Sequence, residues 1–223
     1  MGINAAAMWL NSAFATFDLG VSRAVHTLAE SAGGIMTPFF NFISFLGLGG
    51  IFLILLSISL IVYKPTRRYG TAMLLGLSIS FLVTNCCVKP FVARPRPYID
   101  QSSDYYKMWL TVGQATESDK SFPSGHATAA AGSMVGLFLA TRRKRISWLV
   151  FLFPVLMALS RIYLVVHDPT DVIGGIIVGL IGGTAGYLIM KHLPEKYYAA
   201  DLPPLTWING SGKGKQKGGK HCR

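Results

Sequence analysis

Charged residues are scarce in this sequence, and acidic residues are the scarcer kind. Asp, Glu, Lys and Arg make up only 14% of the 223 residues, and 10 acidic residues stand against 21 basic ones. Hydrophobic residues make up 51%, and the mean hydropathy is +0.44. Soluble domains carry about 25% charged residues. The composition therefore excludes an ordinary water-soluble domain and predicts a single compact unit embedded in a membrane.

Cysteine is also rare, which excludes a disulfide framework. Cys86 and Cys87 are neighbours inside an apolar run, and Cys222 lies in a polar segment that does not form a prenylation box. The first residues lack a basic region followed by an uninterrupted apolar core, so no secretory signal peptide is predicted. No His and Cys cluster has the spacing of metal ligands. The sequence therefore predicts neither a metal nor another cofactor.

Five apolar runs determine the predicted fold. Each has about 20 residues, enough for a helix to cross a hydrocarbon core of roughly 30 Å. The runs cover residues 43–63, 70–88, 122–141, 146–166 and 172–190. Backbone polar groups have to be satisfied internally in lipid. We therefore expect an all-α integral-membrane bundle of five transmembrane helices, or six if the N-terminal segment also crosses.

The N-terminal segment has the pattern of an amphipathic helix. Apolar residues recur there at three- and four-residue steps, and polar residues mark the opposite face. The apolar positions are Leu10, Phe14, Phe17, Val21, Val25 and Leu28, and the polar positions are Asn11, Asp18, Ser22, His26 and Glu30. This pattern favours a helix that lies in the membrane interface over one that crosses it.

The basic residues predict the orientation of the bundle. They cluster between the first and second runs, between the third and fourth runs, and after the fifth. These three clusters lie on one side if each run crosses once, and the positive-inside rule makes that side cytoplasmic. We expect a multi-pass plasma-membrane protein with one domain at 1–200 and a disordered, basic cytoplasmic tail at 201–223. Because the net charge of +11 lies in loops and tail, no nucleic-acid partner is predicted.

Glycines in the fifth run have the spacing of close helix contacts. Gly175, Gly179 and Gly183 repeat every four residues, and Gly182 and Gly186 form a second pair. Small residues at this spacing let helices approach closely in lipid. The pattern favours packing inside the bundle over a dimer contact, and it does not predict an oligomeric state.

Three short motifs place ionisable residues at the ends of these runs, all on the predicted outer side. Ionisable residues at such places are costly and mark a functional site. The motifs are Lys89-x6-Arg96-Pro97, Pro123-Ser124-Gly125-His126 and Ser160-Arg161-x5-His167-x3-Asp171. The cations Lys89, Arg96 and Arg161 suit a phosphate group, which arginine binds through a planar fork. With Ser121 as a predicted helix cap, the amides of residues 124–126 offer a further anion site.

Two histidines and a carboxylate indicate separate catalytic roles. Asp171 is one helical turn from His167, so its carboxylate can accept a proton from one imidazole nitrogen and leave the other as a nucleophile. His126 can then give a proton to the leaving oxygen and later activate water. The cations and helix-end amides would stabilise the charge on the phosphoryl oxygens. The pattern predicts phosphoryl transfer through a phosphohistidine.

Together the three motifs resemble the complete signature of the type-2 phosphatidic acid phosphatase family. That family includes integral-membrane lipid phosphatases and, more distantly, soluble vanadium haloperoxidases. The resemblance implies His167 as nucleophile, Asp171 as its orienting partner and His126 as general acid and base, without a metal. It also implies a set of residues that hold the phosphoryl group, namely Lys89, Arg96, Ser124, Gly125 and Arg161.

The resemblance leaves the lipid partner open. The short chain and the outward-facing site resemble bacterial undecaprenyl-diphosphate phosphatases, which makes undecaprenyl diphosphate the first expectation. Many of those enzymes carry Asp where this chain has Gly125, so phosphatidylglycerophosphate, phosphatidate and lipid A remain alternative substrates. A phosphotransferase is a second enzymatic alternative. A lipid-binding or transport protein is the non-enzymatic one, and the two histidines and the carboxylate argue against it.

Overall fold

The computed structural model describes residues 4–32, 34–141 and 147–199. Within these ranges the chain forms helices and connecting turns without a β-strand, which confirms the all-α prediction. The basic cluster at 142–145 and the tail at 201–223 lie outside the described residues. The helices are α1 (Ala5–Ala13), α2 (Ala15–Ser31), α3 (Met36–Gly47), α4 (Ile51–Val62), α5 (Arg67–Leu82), α6 (Lys89–Val92), α7 (Asp104–Thr111), α8 (Gly125–Ala140), α9 (Leu152–Tyr163), α10 (Pro169–His192) and α11 (Glu195–Ala199).

Three helical stretches are long and apolar enough to cross a membrane: Met36–Val62, Lys64–Val92 and Pro169–His192. They contain most or all of the first, second and fifth predicted runs. The third and fourth runs form shorter apolar helices, Gly125–Ala140 and Trp148–Tyr163. Both are shortened at the end that carries a site motif, because the chain there leaves the helix to present polar side chains. Neither α1 nor α2 is among the described helices that meet the length and hydropathy of a span.

The centre of the bundle consists of α5, α8 and α10. Nearly all of α8 from Ala127 to Gly136 is buried between its neighbours. A Cβ atom on Gly183 would lie 2.6 Å from the carbonyl oxygen of Gly132, and one on Gly175 would lie 2.6 Å from that of Ser124. The glycines of α10 therefore pack against α8 and α5 inside the bundle, as the spacing predicts.

A methyl group at Gly183 is expected to destabilise this centre. It would press on a backbone oxygen that cannot rotate away, so Gly183→Ala should lower the free energy of unfolding by about 1–3 kcal/mol. The measurement is the melting temperature in detergent. Gly20→Ala is the matched control, because nothing lies within 4 Å of a Cβ atom at Gly20. An unchanged melting temperature for Gly183→Ala would show that the helices separate without cost.

Helix α2 turns its polar face towards the protein and its apolar face outward. Asp18 is only 1% exposed and Ser22 only 3%, whereas Phe17 is 46% exposed and Leu28 63%. A helix on a soluble protein would be oriented the other way. This orientation suits a helix whose outer face contacts lipid. It also brings a carboxylate from the N-terminal region to the centre of the molecule.

Candidate active site

The three motifs meet at one cavity of about 160 Å³. This is a few times the ~30 Å³ that one water molecule takes up in the liquid, so it has room for a phosphate-sized group. Five of the predicted site residues line it, namely Lys89, Arg96, Gly125, His126 and His167. The other three, Ser124, Arg161 and Asp171, are buried behind this lining.

Arg96 lies in an extended stretch between two prolines and points at His167. Its backbone has φ −72° and ψ 147°, as expected beside proline. Its Nη1 donates to the carbonyl of Val166 at 2.8 Å and contacts Nε2 of His167 at 2.8 Å. Because a guanidinium group has no acceptor, Nε2 of His167 has to be the acceptor and therefore carries a lone pair. The proton of the neutral ring is consequently on Nδ1.

The other imidazole nitrogen of His167 faces Asp171. Nδ1 lies 3.5 Å from Oδ2 of Asp171 and 3.4 Å from the hydroxyl of Ser121. Burial lowers the pKa of His167 well below 6.5, and the neighbouring cations Arg96, Arg161 and Lys89 lower it further. The ring is therefore neutral at pH 7, and its unprotonated nitrogen lies at the cavity, where its lone pair accepts from Arg96.

The start of α8 differs in detail from the prediction. Ser124, not Ser121, caps the helix, and its hydroxyl accepts from the amide of Ala127 at 3.5 Å. The amide of Ser124 is not free, since it donates to the carbonyl of Asp171 at 2.9 Å. Gly125 and His126 are the first residues of the helix, where the helix itself offers their amides no partner. The predicted cap was wrong by three residues. Both serines precede residues that favour a helix, but the hydroxyl of Ser121 donates to Asp171 and not to the start of α8.

Ser121 contacts Asp171 instead. Its hydroxyl donates to Oδ2 of that carboxylate, which also accepts from the amide of Asp168 at 3.1 Å. Asp168 caps α10, and Pro169 is its first residue. The second oxygen of Asp171 accepts from Nη1 of Arg94 at 2.7 Å. Sequence reasoning missed Arg94, and the available signal was the doubled Arg-Pro pair at 94–97.

Arg161 lies in the last turn of α9 and is 1% exposed. Its two terminal nitrogens donate to Ser44 and to Glu117. Its Nε has no hydrogen-bond partner among the described residues. The arginine thus retains a donor that is already desolvated, beside the carboxylate of Glu117.

Two carboxylates that the sequence did not single out offset part of the positive charge at the cavity. Asp119 pairs with both Lys89 and Arg96, and Glu117 pairs with Arg161. Glu117 also lies 4.0 Å from Nδ1 of His126. Partial burial alone would raise the pKa of Asp119, but Lys89 and Arg96 outweigh it and lower the pKa, so this carboxylate is ionised at pH 7. The signal for these residues was the need of three buried cations for counter-charge.

His126 reaches the cavity from the first turn of α8, close to the end of α3. A Cβ atom at Gly47 would lie 2.7 Å from Cδ2 of His126, so the glycine backbone packs directly on the imidazole. Within residues 4–32, 34–141 and 147–199, no group of three His, Cys, Asp or Glu side chains is arranged to hold a metal ion.

Known proteins resemble this chain in sequence. The PAP2 superfamily matches residues 66–194, which is more than half of the chain. A lipid A 4'-phosphatase of Porphyromonas gingivalis is 33% identical over 147 residues, and the match spans 63% of this chain and 60% of that protein. Undecaprenyl-diphosphatase BcrC of Bacillus subtilis is 28% identical over 167 residues, which are 73% of this chain and 79% of that protein.

The fold is also that of a solved relative. The crystal structure of the first transmembrane PAP2 type phosphatidylglycerolphosphate phosphatase from Bacillus subtilis has a TM-score of 0.61 and is 26% identical. The similarity covers 86% of this chain and 90% of that one. On the sequence match, the shared fold and the three motifs, the chain belongs to the PAP2 superfamily, a family of membrane lipid phosphatases with more distant soluble members.

Proposed function

We propose that this protein hydrolyses a phosphate or diphosphate ester of a membrane lipid through a phosphohistidine on His167. The observation that carries the proposal is the 2.8 Å contact between Arg96 and Nε2 of His167, which requires that nitrogen to be unprotonated, at a cavity that Lys89 and the start of α8 also line. A neutral nucleophile among fixed cations is the arrangement that attack on a phosphoryl group requires.

The first step forms the covalent intermediate. Nε2 of His167 attacks phosphorus and the bond from phosphorus to the lipid oxygen breaks. His126, which takes up a proton when the anionic headgroup binds, gives that proton to the leaving oxygen. Lys89, Arg96 and Arg161, with the amides of Gly125 and His126, bind the phosphoryl oxygens, and Ser124 holds the start of α8 in place. Asp171 stabilises the charge that develops on the ring of His167.

The second step regenerates the enzyme. His126, now neutral, takes a proton from water as the water oxygen attacks phosphorus. The bond from phosphorus to Nε2 breaks, and inorganic phosphate leaves with His167 in its starting form. Three protein cations supply the charge that metal ions supply in many other phosphoryl-transfer enzymes. We therefore propose turnover without a metal ion.

The mouth of the cavity favours a lipid over a soluble substrate. Its rim includes residues 47–50 between α3 and α4, and Phe81 and Asn85 on the neighbouring span. Leu48 and Phe81 are 53% and 51% exposed and lie on stretches long enough to span a membrane. A lipid chain can remain in the bilayer at this rim while only its phosphoryl group enters the cavity, which is too small for a whole lipid.

The charge distribution supports a site on the extracytoplasmic side. Lys89 is at one end of the Lys64–Val92 stretch, and Lys64, Arg67 and Arg68 are at the other. By the positive-inside rule the second end is cytoplasmic. We propose one phosphatase domain at 1–200, in the plasma membrane, with the cavity facing outward.

The proposal also names candidate lipid substrates. Undecaprenyl diphosphate is the first candidate, and lipid A and phosphatidylglycerophosphate are alternatives, since relatives named for all three share this fold or sequence. The test is phosphate release from each purified lipid, and from phosphatidate, in detergent with excess chelator. Release from one lipid at least tenfold faster than from the others identifies the substrate. Loss of release with chelator, restored by a divalent cation, would refute metal independence.

The same assay distinguishes the other candidate activities. A labelled phosphoryl group that appears on an added alcohol instead of in inorganic phosphate would identify a phosphotransferase. Folded protein that binds the lipids but releases no phosphate from any of them would identify a binding or transport protein and refute the proposed hydrolysis.

Removal of the Asp119 carboxylate is expected to strengthen phosphate binding. Asp119 contacts Lys89 and Arg96, two of the three cations proposed to bind the phosphoryl group, so substrate has to displace it. Asp119→Asn should lower the inhibition constant of inorganic phosphate by roughly 3–10-fold, a modest effect because the side chain is partly exposed. Asp104→Asn, which removes a carboxylate paired with Arg23 on α2, is the control. Weaker inhibition in Asp119→Asn would show that the carboxylate holds the cations in place instead of competing with phosphate.

A further inference from the structure

Arg94 lies behind the cavity, and each of the three nitrogens of its guanidinium group makes a polar contact. Nε donates to Asn11 at 2.7 Å. Nη1 donates to Thr170 at 2.9 Å and to Asp171 at 2.7 Å. Nη2 donates to Asp18 at 3.1 Å and lies 3.2 Å from Asp168. Only arginine has enough donors in a fixed plane to hold these groups at once.

Arg94 provides the main positive charge opposite three acidic side chains in this cluster. Asp18, Asp168 and Asp171 are all buried, and one guanidinium group lies between them. Burial alone would lower the pKa of Arg94, but Asp171 and Asp168 outweigh it and raise the pKa above its ordinary value. The arginine is therefore permanently charged, and its loss would leave three carboxylates buried together.

Asp18 connects this cluster to the N-terminal helix. Its Oδ1 accepts from the amide of Thr170 at 2.8 Å, and its Oδ2 accepts from the hydroxyl of Thr170 at 2.7 Å and from Arg94. Helix α2 thereby supplies a carboxylate to the first turn of α10, where backbone amides need acceptors. The next residue along that turn is Asp171.

We propose that Asp18 and Arg94 are positioning residues of the active site and that α2 is part of the catalytic machinery. Arg94 holds Oδ1 of Asp171, so that Oδ2 faces His167, and Asp18 holds both Arg94 and the turn that carries Asp171. This inference rests on the proposed function, because the carboxylate is positioned for a phosphohistidine reaction. Asp18 lies outside residues 66–194, the part that matches the family.

The expected signature is a loss of turnover without a loss of binding. Neither Asp18 nor Arg94 lines the cavity that would hold the phosphoryl group. Arg94→Lys keeps the charge but loses the fork, and it should lower kcat by roughly 10–100-fold while KM changes less than about threefold. Asp18→Asn keeps the shape but loses the charge, and it should act in the same direction. Accumulation of phosphoenzyme in a rapid-mixing experiment should slow by the same factor as kcat.

The control uses a second ion pair of the same helix. Arg23 of α2 pairs with Asp104 of α7, far from Asp171 in the bonding network. Asp104→Asn should leave kcat unchanged. Each variant is compared by its melting temperature, and the Nδ1–H resonance of His167 is recorded in histidine-labelled protein. That resonance should shift in Arg94→Lys and Asp18→Asn and stay in place in Asp104→Asn.

The possible results separate this inference from the proposed function. Wild-type protein that releases no phosphate from any lipid refutes the function. Wild-type activity with an unchanged kcat in Arg94→Lys or Asp18→Asn, whichever of the two folds, refutes the positioning role alone. A rise in KM at constant kcat, or a fall in kcat that Asp104→Asn reproduces, refutes it as well. An unshifted His167 resonance in a folded variant overturns the role independently of activity.

Discussion

His167→Asn is expected to reduce phosphate release from the preferred lipid to background, a loss of about 10⁴-fold or more. Asparagine can still accept a hydrogen bond from Arg96, which contacts the imidazole at 2.8 Å, so the cation keeps a partner. The amide has no basic lone pair on nitrogen and cannot attack phosphorus. In enzymes that act through a covalent intermediate, loss of the nucleophile leaves only the contribution of binding and charge stabilisation.

The measurement is phosphate release together with the melting temperature and lipid binding. His192→Asn is the matched control, because His192 ends α10 at the opposite end of the bundle and is exposed. We expect normal binding of lipid by His167→Asn and normal activity of His192→Asn. Residual release above a few per cent in a folded His167→Asn protein would exclude His167 as the nucleophile and, with it, the proposed mechanism.

His126→Asn is expected to trap the phosphoenzyme when the substrate has a good leaving group. An activated aryl phosphate needs no proton on its leaving oxygen, so His167 can still be phosphorylated. The next step needs a base to activate water, and that base is absent. Loss of a general base typically lowers a rate by 10²–10⁴-fold, so about one phosphoryl group per protein molecule should accumulate before turnover becomes slow.

The measurement is the amount of labelled phosphate that is attached to the protein through a bond that is broken by acid and stable to base. His26→Asn is the control, since His26 lies on α2 and pairs with Glu30 outside the cavity. The same label should be absent from His167→Asn and from the variant that carries both His126→Asn and His167→Asn. Accumulation without a slow second phase, or no label at all with the aryl substrate, would assign His126 a role other than the base of the hydrolysis step.

Much of the site can be predicted from the sequence because its residues occur at the ends of long apolar runs. Lys89, the residues around His126 and the segment from Arg161 to Asp171 are on the same side if the runs alternate in direction. These residues then come together at one site as soon as the helices form one bundle. The spacing of the motifs carries this information, since a charge at the end of one span is close to the ends of the neighbouring spans.

The partners of these residues could not be predicted in the same way. Asp18 contacts Thr170 over a separation of 152 residues, and Asp119 reaches back to Lys89 from a loop without a regular pattern. A sequence shows that a buried cation needs an anion, but not which of several carboxylates supplies it. The polar face of α2 has the same ambiguity, because an amphipathic helix has the same periodicity whichever face contacts the protein.

The contact between Gly175 and the carbonyl of Ser124 acts as a fixed spacer between the two halves of the reaction centre. One half begins α8 and the other begins α10, and a Cβ atom at Gly175 would lie only 2.6 Å from that carbonyl oxygen, so a side chain there would push the two helix starts apart. The close approach of the two helix starts therefore depends on the absence of a side chain at Gly175. Variation in the size of the lipid headgroup has to be accommodated by the loops and the rim, since the two helices cannot move apart without losing their alignment.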